Sequence, residues 1–210
     1  MSKVIKLKRG LDIRLVGEAE KTVVQMPVGS TYAVVPDSFP RITPKLLVSE
    51  GARVKAGTPL FFDKARPQIL FTSPVSGTVS AVRRGEKRRI MSVVIDADPV
   101  VEYEKFQAPV PAKSTPEKIT EVLLQSGLWP LIIQRPYGTI ANPGDRPKAV
   151  FISGFDSAPL APDMNFVLKD EYDNLVAGIE ALKKLTDGEV HLGLRHGENA
   201  VLNRMTNADP

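Results

Sequence analysis

The sequence contains no cysteine and only two histidines. Without cysteine, these residues cannot form a disulfide, a thiolate zinc site or a cysteine-ligated iron–sulfur cluster. The histidines, His191 and His196, are five positions apart on a predicted strand, which places them on opposite faces and argues against a shared metal site. Motifs typical of hydrolases, such as HExxH or a serine nucleophile elbow, are also missing. We therefore predict no catalytic residue and no metal ligand.

Long apolar runs are missing as well. No stretch approaches the ~18 consecutive apolar residues of a membrane-spanning helix. The N-terminal residues MSKVIKLKRG lack the uninterrupted apolar region of a signal peptide. We expect a soluble, cytoplasmic chain. Because only 6% of the residues are aromatic and no helix-turn-helix pattern is visible, the sequence does not favour a nucleic-acid partner.

The charge is distributed unevenly along the chain. Residues 1–101 contain 17 Lys and Arg against 9 Asp and Glu, whereas the remainder contains 11 against 15. A basic first part and a mildly acidic second part indicate two domains, the first suited to an acidic partner.

Residues 49–95 form two related halves. In the first half, Gly51 and Gly57 flank a polar corner that leads into a strand. In the second half, Pro74 and Gly77 repeat this pattern, since Pro74 cannot donate to a ladder and Gly77 permits a positive φ. Two such halves related by a pseudo-two-fold axis predict a small flattened β-barrel.

Short strands are also predicted before the barrel, over residues 4–15, 22–25 and 32–35. Three prolines predict a loop from residue 36 to the LLV strand at 46–48. We expect a β-rich domain over 1–101, with its barrel core at 36–100, and a Pro-rich linker over 102–116.

The remaining residues, 117–210, alternate strands and helices. Thr115 as the cap, Pro116 at the first position and Gly127 after the end predict a helix over 116–126. A second helix is predicted over 172–185, and strands are predicted in LWPLIIQRPYG, KAVFISGFDS and EVHLGLRHG. This order indicates a parallel α/β sheet. Because three strands are few for that architecture, we expect an incomplete domain and a natural protein that continues past Pro210.

The barrel stretch resembles biotinyl and lipoyl carrier domains, in which a lysine of an Asp-Lys-Ala turn is acylated. Lys64 follows Asp63 and precedes Ala65 in the corresponding region. Against acylation, Lys64 lies ten residues before Pro74, farther than in the carriers, and we expect Arg66 and Pro67 to alter the tight hairpin. An exposed, unmodified turn lysine is the favoured interpretation, with acylation as the alternative.

The sequence RRGEKRR at 83–89 places five basic side chains around Gly85 between two predicted strands. These are Arg83, Arg84, Lys87, Arg88 and Arg89. A solvated hairpin tip is the favoured interpretation. A docking surface for another subunit or for anionic lipid is second, and nucleic acid is third.

The sequence SGFDS at 153–157 follows a predicted strand, where a nucleotide-binding sheet places its phosphate turn. Gly154 could then contact a phosphate. However, the chain has no GxGxxG or GK[ST] motif, and Pro159 and Pro162 oppose an immediate helix. Dinucleotide binding is therefore disfavoured, and no cofactor-binding residue is assigned.

Several runs, taken together, resemble the N-terminal part of the NqrA family, the A-subunits of the sodium-translocating NADH:quinone oxidoreductase. They are KLKRGLDIRLVGEAE, KLLVSEGARVKAGTPLFFDK, FTSPVSGTVSAVRRGEKRRIMSVVI, SGLWPLIIQRPYGTI and LTDGEVHL, and they span nearly the whole chain in order. Their combination is far more specific than any single run.

The resemblance implies an α+β multidomain fold, in which a biotinyl/lipoyl-like barrel-sandwich hybrid is followed by a truncated Rossmann-like α/β domain. It also implies a peripheral subunit, held by partner subunits at the cytoplasmic side of the membrane. The whole complex oxidises NADH, reduces ubiquinone and pumps sodium ions, and its flavins and iron–sulfur centres belong to other subunits. We expect this chain to bind no cofactor and to be structural or quinone-adjacent. A carrier domain modified at Lys64 and a flavin or dinucleotide enzyme domain are the alternatives.

Overall fold

The structure is a computed structural model that describes residues 15–17, 20–27, 29–158 and 160–194. In chain order, its strands are β1 (Thr31–Val34), β2 (Pro44–Leu46), β3 (Arg53–Val54), β4 (Pro59–Asp63), β5 (Arg66–Thr72), β6 (Gly77–Arg84), β7 (Ile90–Ala97), β8 (Ile133–Gln134), β9 (Thr139–Ile140), β10 (Ala149–Ser153) and β11 (Glu189–Gly193). The α-helices are α1 (Pro116–Gln125), α2 (Met164–Val167) and α3 (Tyr172–Lys183).

The segment before β1 differs from the prediction. Residues 4–14 lie outside the described residues. The strand predicted at 22–25 is wrong, because these residues form no strand, and Val23 and Val24 are 72% and 71% exposed. Branched residues favour a strand only where a neighbouring strand covers them, and the described part of the chain provides none here. The strand predicted at 32–35 is present as β1.

Two antiparallel sheets form the first domain. One has the strand order β1-β7-β6-β3 and the other the order β2-β4-β5. The loop predicted over residues 36–45 is interrupted by a 3-10 turn (Pro36–Ser38), and β2 begins at Pro44, earlier than predicted. Proline is tolerated there because Pro44 is the first residue of an edge strand. Side chains from both sheets fill one core, whose fully buried members include Leu60, Phe61, Ile69, Val79, Val93 and Ile95.

The two halves of the barrel bond to each other through their corners. The N–H of Gly51 donates to the carbonyl of Val79 at 2.8 Å, and the N–H of Val79 donates to Ala52 at 2.9 Å. In the same way, the N–H of Gly57 donates to Ser73 at 2.8 Å, and Ser73 donates to Thr58 at 2.9 Å. Each half therefore satisfies backbone groups of the other, as the duplicated pattern predicts.

The glycines of the corners have different roles. Gly51 and Gly57 have φ values of +83° and +100°, which side chains with a Cβ rarely adopt. Gly77 does not use the positive φ that glycine permits. Gly77 is needed for close approach instead, since a Cβ there would collide with the carbonyl oxygen of Asp96 and lie 3.1 Å from the Cα of Ala97.

An ion pair closes the first corner against the end of β7. The guanidinium of Arg53 donates two hydrogen bonds of 2.9 Å to the carboxylate of Asp98. This hydrogen bonding lowers the pKa of Asp98 below its ordinary value. The stabilisation from the pair is present above the unfolded-state pKa of Asp98 and is lost as the pH falls through the lowered folded-state pKa.

The second domain has fewer strands in its described parallel sheet than the sequence predicts. Helix α1 is confirmed, with the Thr115 hydroxyl accepting from the N–H of Lys118 at 3.3 Å and Gly127 at a φ of +72° after its end. The parallel pair β10–β11 and helix α3 are also present, although α3 ends at Lys183 rather than residue 185.

The predicted strand in LWPLIIQRPYG is largely wrong. Residues 129–131 form a 3-10 turn, and the strand β8 covers only Ile133–Gln134. It pairs antiparallel with β9, outside the parallel sheet. Pro130 lacks an N–H and favours the turn, while Trp129 is buried and donates from Nε1 to the carbonyl of Ala141 at 2.8 Å. The described parallel sheet therefore has two strands instead of three.

The two domains share one apolar core. Ile119, Trp129, Ile140 and Leu185 belong to the same buried cluster as the barrel side chains. The contact is close at Gly127, where a Cβ would lie 2.5 Å from the hydroxyl oxygen of Thr72 in β5.

The segment after β7, which connects the two domains, is also bonded to the barrel. The N–H of Ala56 donates to the carbonyl of Glu102 at 2.9 Å, and the N–H of Glu104 donates to the carbonyl of Ala56 at 2.8 Å. Among the described residues, no helix has the length and hydropathy needed to cross a bilayer.

We predict that Gly77→Ala destabilises the protein by about 2–3 kcal/mol, because the methyl group must displace the backbone of β7. Gly178→Ala is the matched control. It lies in α3 with no atom within 4 Å of the added Cβ, so we expect a gain of up to ~1 kcal/mol from helix propensity. Urea unfolding followed by circular dichroism measures both changes. Equal stability of the Gly77→Ala variant and the parent would contradict the close approach.

Candidate functional site

The turn that carries Lys64 is a tight hairpin. Strand β4 ends at Asp63, β5 begins at Arg66, and these two residues are paired across the turn. Lys64 and Ala65 are both exposed. Strand β5 starts at Arg66 and has Pro67 at an exposed position of the sheet's other edge strand, and the pairing shifts register between Phe62 and Asp63. The expectation that Arg66 and Pro67 alter the hairpin found in carriers stays a prediction.

A buried carboxylate lies directly beneath this turn. Asp63 is 1% exposed, and one of its oxygens accepts from the N–H groups of Thr43 at 3.1 Å and Ala65 at 3.3 Å. The other oxygen accepts from Nε of Arg66 at 3.0 Å. A buried carboxylate requires such a set of donors, because its desolvation is otherwise costly.

Arg66 also joins the hairpin to the second domain. Its second nitrogen, Nη1, donates to the carbonyl oxygen of Ile140 at 2.7 Å, and Ile140 is 1% exposed in the shared core. The Lys64 turn is therefore restrained by two contacts, the bond of Ala65 to the buried Asp63 carboxylate and the bond of Arg66 to Ile140 of β9. A swinging-arm lysine needs a protruding, accessible turn, so this anchoring disfavours the carrier alternative.

The basic run forms the connection between β6 and β7. Strand β6 ends with Arg83 and Arg84, and β7 begins at Ile90 after a 3-10 turn over Glu86–Arg88. Lys87 and Arg88 have φ values of +53° and +62°, an uncommon conformation for residues with a Cβ. The positive φ values of these two consecutive residues reverse the chain direction between β6 and β7. All of the basic side chains from Arg83 to Arg89 are exposed.

The structure separates these five basic residues into two groups. Arg84, Arg88 and Arg89 line an open groove of about 490 Å³, whereas Arg83 and Lys87 do not. The opposite wall of the groove is strand β2, together with Thr43, and it contributes a fourth cation, Lys45. Lys45 was not predicted as part of the site, because it lies about forty residues before the basic run in the sequence. Only the packing of the two sheets brings it near.

Three contacts position the cations of the groove. Arg89 donates to the carboxylate of Asp37 at 2.6 Å, and Arg84 donates to the carbonyl oxygen of Arg88 at 3.1 Å. The ammonium of Lys45 lies 5.6 Å from the ring centroid of Phe62, which is within cation–π range. The groove is thus electropositive, and these contacts orient the side chains of Lys45, Arg84 and Arg89.

The SGFDS segment does not have the geometry of a phosphate turn. The N–H of Gly154 donates to the carbonyl of Gly193 at 2.8 Å, so it is already used within the sheet. The next helix, α2, begins only at Met164, where Asp163 caps it. The positive end of a helix therefore does not follow the strand directly, as phosphate binding requires.

His191 lies on β11 and stacks on Phe151, with ring centroids 4.8 Å apart. His196 lies outside the described residues. Within the described part of the chain, no group of three His, Cys, Asp or Glu side chains could hold a metal ion.

Comparison with known proteins decides the family. The family model described as the NqrA N-terminal barrel-sandwich hybrid domain matches residues 5–98, and the NqrA second alpha/beta domain matches residues 114–209. The chain belongs to the NqrA family. The predicted α+β class, with a barrel-sandwich hybrid followed by an α/β domain, is thereby confirmed.

Curated relatives support this assignment. A protein of Yersinia pseudotuberculosis is 37% identical over 97% of this chain, and one of Rhodopirellula baltica is 38% identical over 90%. A protein of Neisseria gonorrhoeae is 34% identical over 90%. Each of the three is named as the A-subunit of Na(+)-translocating NADH-quinone reductase. The matches cover 46%, 42% and 43% of these proteins, so the chain spans less than half of their length.

We predict that Arg66→Met destabilises the protein by about 3 kcal/mol, because it leaves the buried carboxylate of Asp63 without its cation. Adding Asp63→Asn removes that charge, so the double variant recovers about 1 kcal/mol or more. Chemical denaturation measures both free energies of unfolding.

The control for this pair is Arg146→Met. Arg146 forms an exposed ion pair with Asp187, and we expect the free energy of unfolding to stay close to that of the parent. If the double variant is less stable than Arg66→Met alone, the buried charge is not the cause of the loss.

Proposed function

We propose that the chain is part of a peripheral subunit of a respiratory complex that oxidises NADH, reduces ubiquinone and pumps sodium ions. The observation that carries the proposal is the match of both domains, in order, to the NqrA family models, together with relatives named as A-subunits of such a reductase. The partners are the other subunits of the complex, and a membrane subunit holds this chain at the cytoplasmic side of the membrane.

Within the complex, this part of the protein serves as a scaffold without its own redox centre. The engaged N–H of Gly154 and the absence of a glycine-rich phosphate motif support a Rossmann-like sheet that no longer binds a dinucleotide. The shared core supports a rigid body, because neither domain can move without exposing apolar side chains of the other. NADH, flavins, iron–sulfur centres and ubiquinone are used by the whole complex, and a position next to the quinone is the finer form of this proposal.

The second candidate function is that of a carrier acylated at Lys64. The exposed two-residue turn favours it, and the bond from Arg66 to Ile140 disfavours it.

Purification of the full-length protein, alone and with its partner subunits, tests these functions. We expect the isolated protein to be colourless, to have the unmodified mass at Lys64, and to assemble with the membrane subunits. Absorbance spectra, intact mass and size-exclusion chromatography provide the three measurements. Flavin absorbance in the isolated protein contradicts the scaffold role, a mass increase at Lys64 supports the carrier, and failure to join the partner subunits contradicts membership in the complex.

We also propose the basic hairpin between β6 and β7 as the docking surface for a partner subunit. Reversal of four charges, Arg83→Glu, Arg84→Glu, Lys87→Glu and Arg88→Glu, should reduce the yield of assembled complex at least ~10-fold, because each exposed pair contributes up to ~1 kcal/mol. Co-purification with a tagged partner subunit measures this yield.

The matched control reverses four exposed cations elsewhere, namely Lys105, Lys113, Arg135 and Lys148. We expect it to assemble within ~2-fold of the parent. Equal losses in both variants would indicate a general effect of net charge instead of docking through the hairpin.

A further inference from the structure

The groove between β2 and the basic hairpin has the chemistry of a binding site. It is lined by Thr43, Pro44, Lys45, Leu46, Arg84, Arg88, Arg89 and Ile90. No carboxylate is among these eight residues, and Asp37, whose partner in the described part of the chain is Arg89, lies beside the groove. Lys45, Arg84 and Arg88 therefore leave the groove with an excess of positive charge that no described carboxylate neutralises through an ion pair.

Apolar groups lie beside these cations. Leu46 and Pro44 form part of one wall, and Ile90, which is 7% exposed, contributes to the other. A volume of about 490 Å³ lies within the ~300–1,000 Å³ that is typical of ligand sites and is larger than a single phosphate requires. The occupant thus combines negative charge with apolar side chains and extends over several groups.

Strand β2 adds a third property. It is an edge strand of the described sheet β2-β4-β5. An edge strand offers backbone N–H and C=O groups to an extended segment laid beside it. Thr43 and Leu47 bond to β4, so the outward backbone groups of this three-residue strand are the carbonyls of Pro44 and Leu46 and the N–H of Leu46. A polypeptide can use these three groups, whereas a lipid head group has no matching pattern of donors and acceptors.

The placement of the charges also separates a polypeptide from a membrane surface. A flat anionic surface attracts the outermost cations of a hairpin. Here Arg84, Arg88 and Arg89 line a groove together with Lys45 from a different sheet, while Arg83 and Lys87 are not among its lining residues. The geometry favours a narrow ligand that enters the groove over a bilayer.

We propose that this groove binds an extended acidic segment, with at least one apolar side chain, from a partner subunit. The carboxylates of the segment pair with Lys45, Arg84 and Arg88, and the apolar side chain packs on Leu46 and Ile90. The inference rests on the proposed function, since it names how a subunit of the complex would be held. It divides the basic hairpin into groove cations that bind the segment and tip cations that do not.

The test uses the full-length protein and synthetic peptides that together cover the sequences of its co-purified partner subunits. Fluorescence anisotropy measures the affinity of each peptide. We expect at least one acidic peptide to bind, and the groove variant Arg84→Ala/Arg88→Ala to bind it roughly 3- to 10-fold more weakly. The tip variant Arg83→Ala/Lys87→Ala loses the same charge from the same hairpin and should bind within ~2-fold of the parent.

A third variant lies outside the hairpin, so its effect cannot come from a change in the hairpin's conformation. This variant is Lys45→Ala, on β2. It should weaken binding of the same peptide by about 2- to 5-fold, while the unfolding temperature remains that of the parent. Vesicles of phosphatidylcholine, with and without phosphatidylserine, form the lipid arm, and a DNA duplex at low salt forms the nucleic-acid arm.

The outcomes separate the two proposals. If the protein assembles with its partner subunits but no acidic peptide binds, or if tip and groove variants weaken binding equally, the groove proposal is overturned while membership in the complex stands. Binding to phosphatidylserine vesicles or to DNA with no peptide bound also overturns it. If the protein does not assemble with those subunits at all, the proposed function itself fails.

Discussion

The buried carboxylate of Asp63 is the constraint on which the joint between the two domains depends. Its desolvation requires donors, which it finds in two backbone N–H groups and in Arg66. Arg66 then uses Nη1, one of its two other nitrogens, on Ile140 in the second domain. A local requirement of one β-hairpin is therefore tied to β9, and the close approach of Gly127 to the Thr72 side chain lies at the same joint. The two domains are held together by a polar anchor surrounded by a continuous apolar core.

The parts of the fold that the sequence predicted correctly are those set by local chemistry. Thr115, Pro116 and Gly127 determine the ends of α1 through a hydroxyl cap, a missing N–H and a positive φ, and none of these depends on distant residues. Gly51 and Gly57 mark corners for the same reason. Two predictions failed where tertiary contacts decide the structure. Residues 22–25 have the composition of a strand but no partner among the described strands, and Trp129 is buried in a 3-10 turn by its bond to Ala141.

The candidate site was predictable only in part, and for a physical reason. A run of basic residues identifies a charged hairpin, but the side to which each side chain points depends on the turn. Positive φ values at Lys87 and Arg88 and the bulged end of β6 put Arg84 and Arg88 into the groove and leave Arg83 and Lys87 outside. Lys45 joins them from another sheet, which no local pattern indicates. The groove therefore depends on how the two sheets pack together, and not on the RRGEKRR run alone.

The Lys64 turn shows how a carrier-like fold can serve another purpose. A swinging lysine needs both exposure and mobility, and here the turn retains the first while its base is restrained. Asp63 holds the turn from inside, Arg66 fastens it to Ile140, and β5 packs against α1. Each contact reduces the freedom that an acylated arm would require, and each adds rigidity to the two-domain body. The hairpin that carries Lys64 is therefore part of the contact between the two domains, through Arg66 and through the packing of β5 on α1.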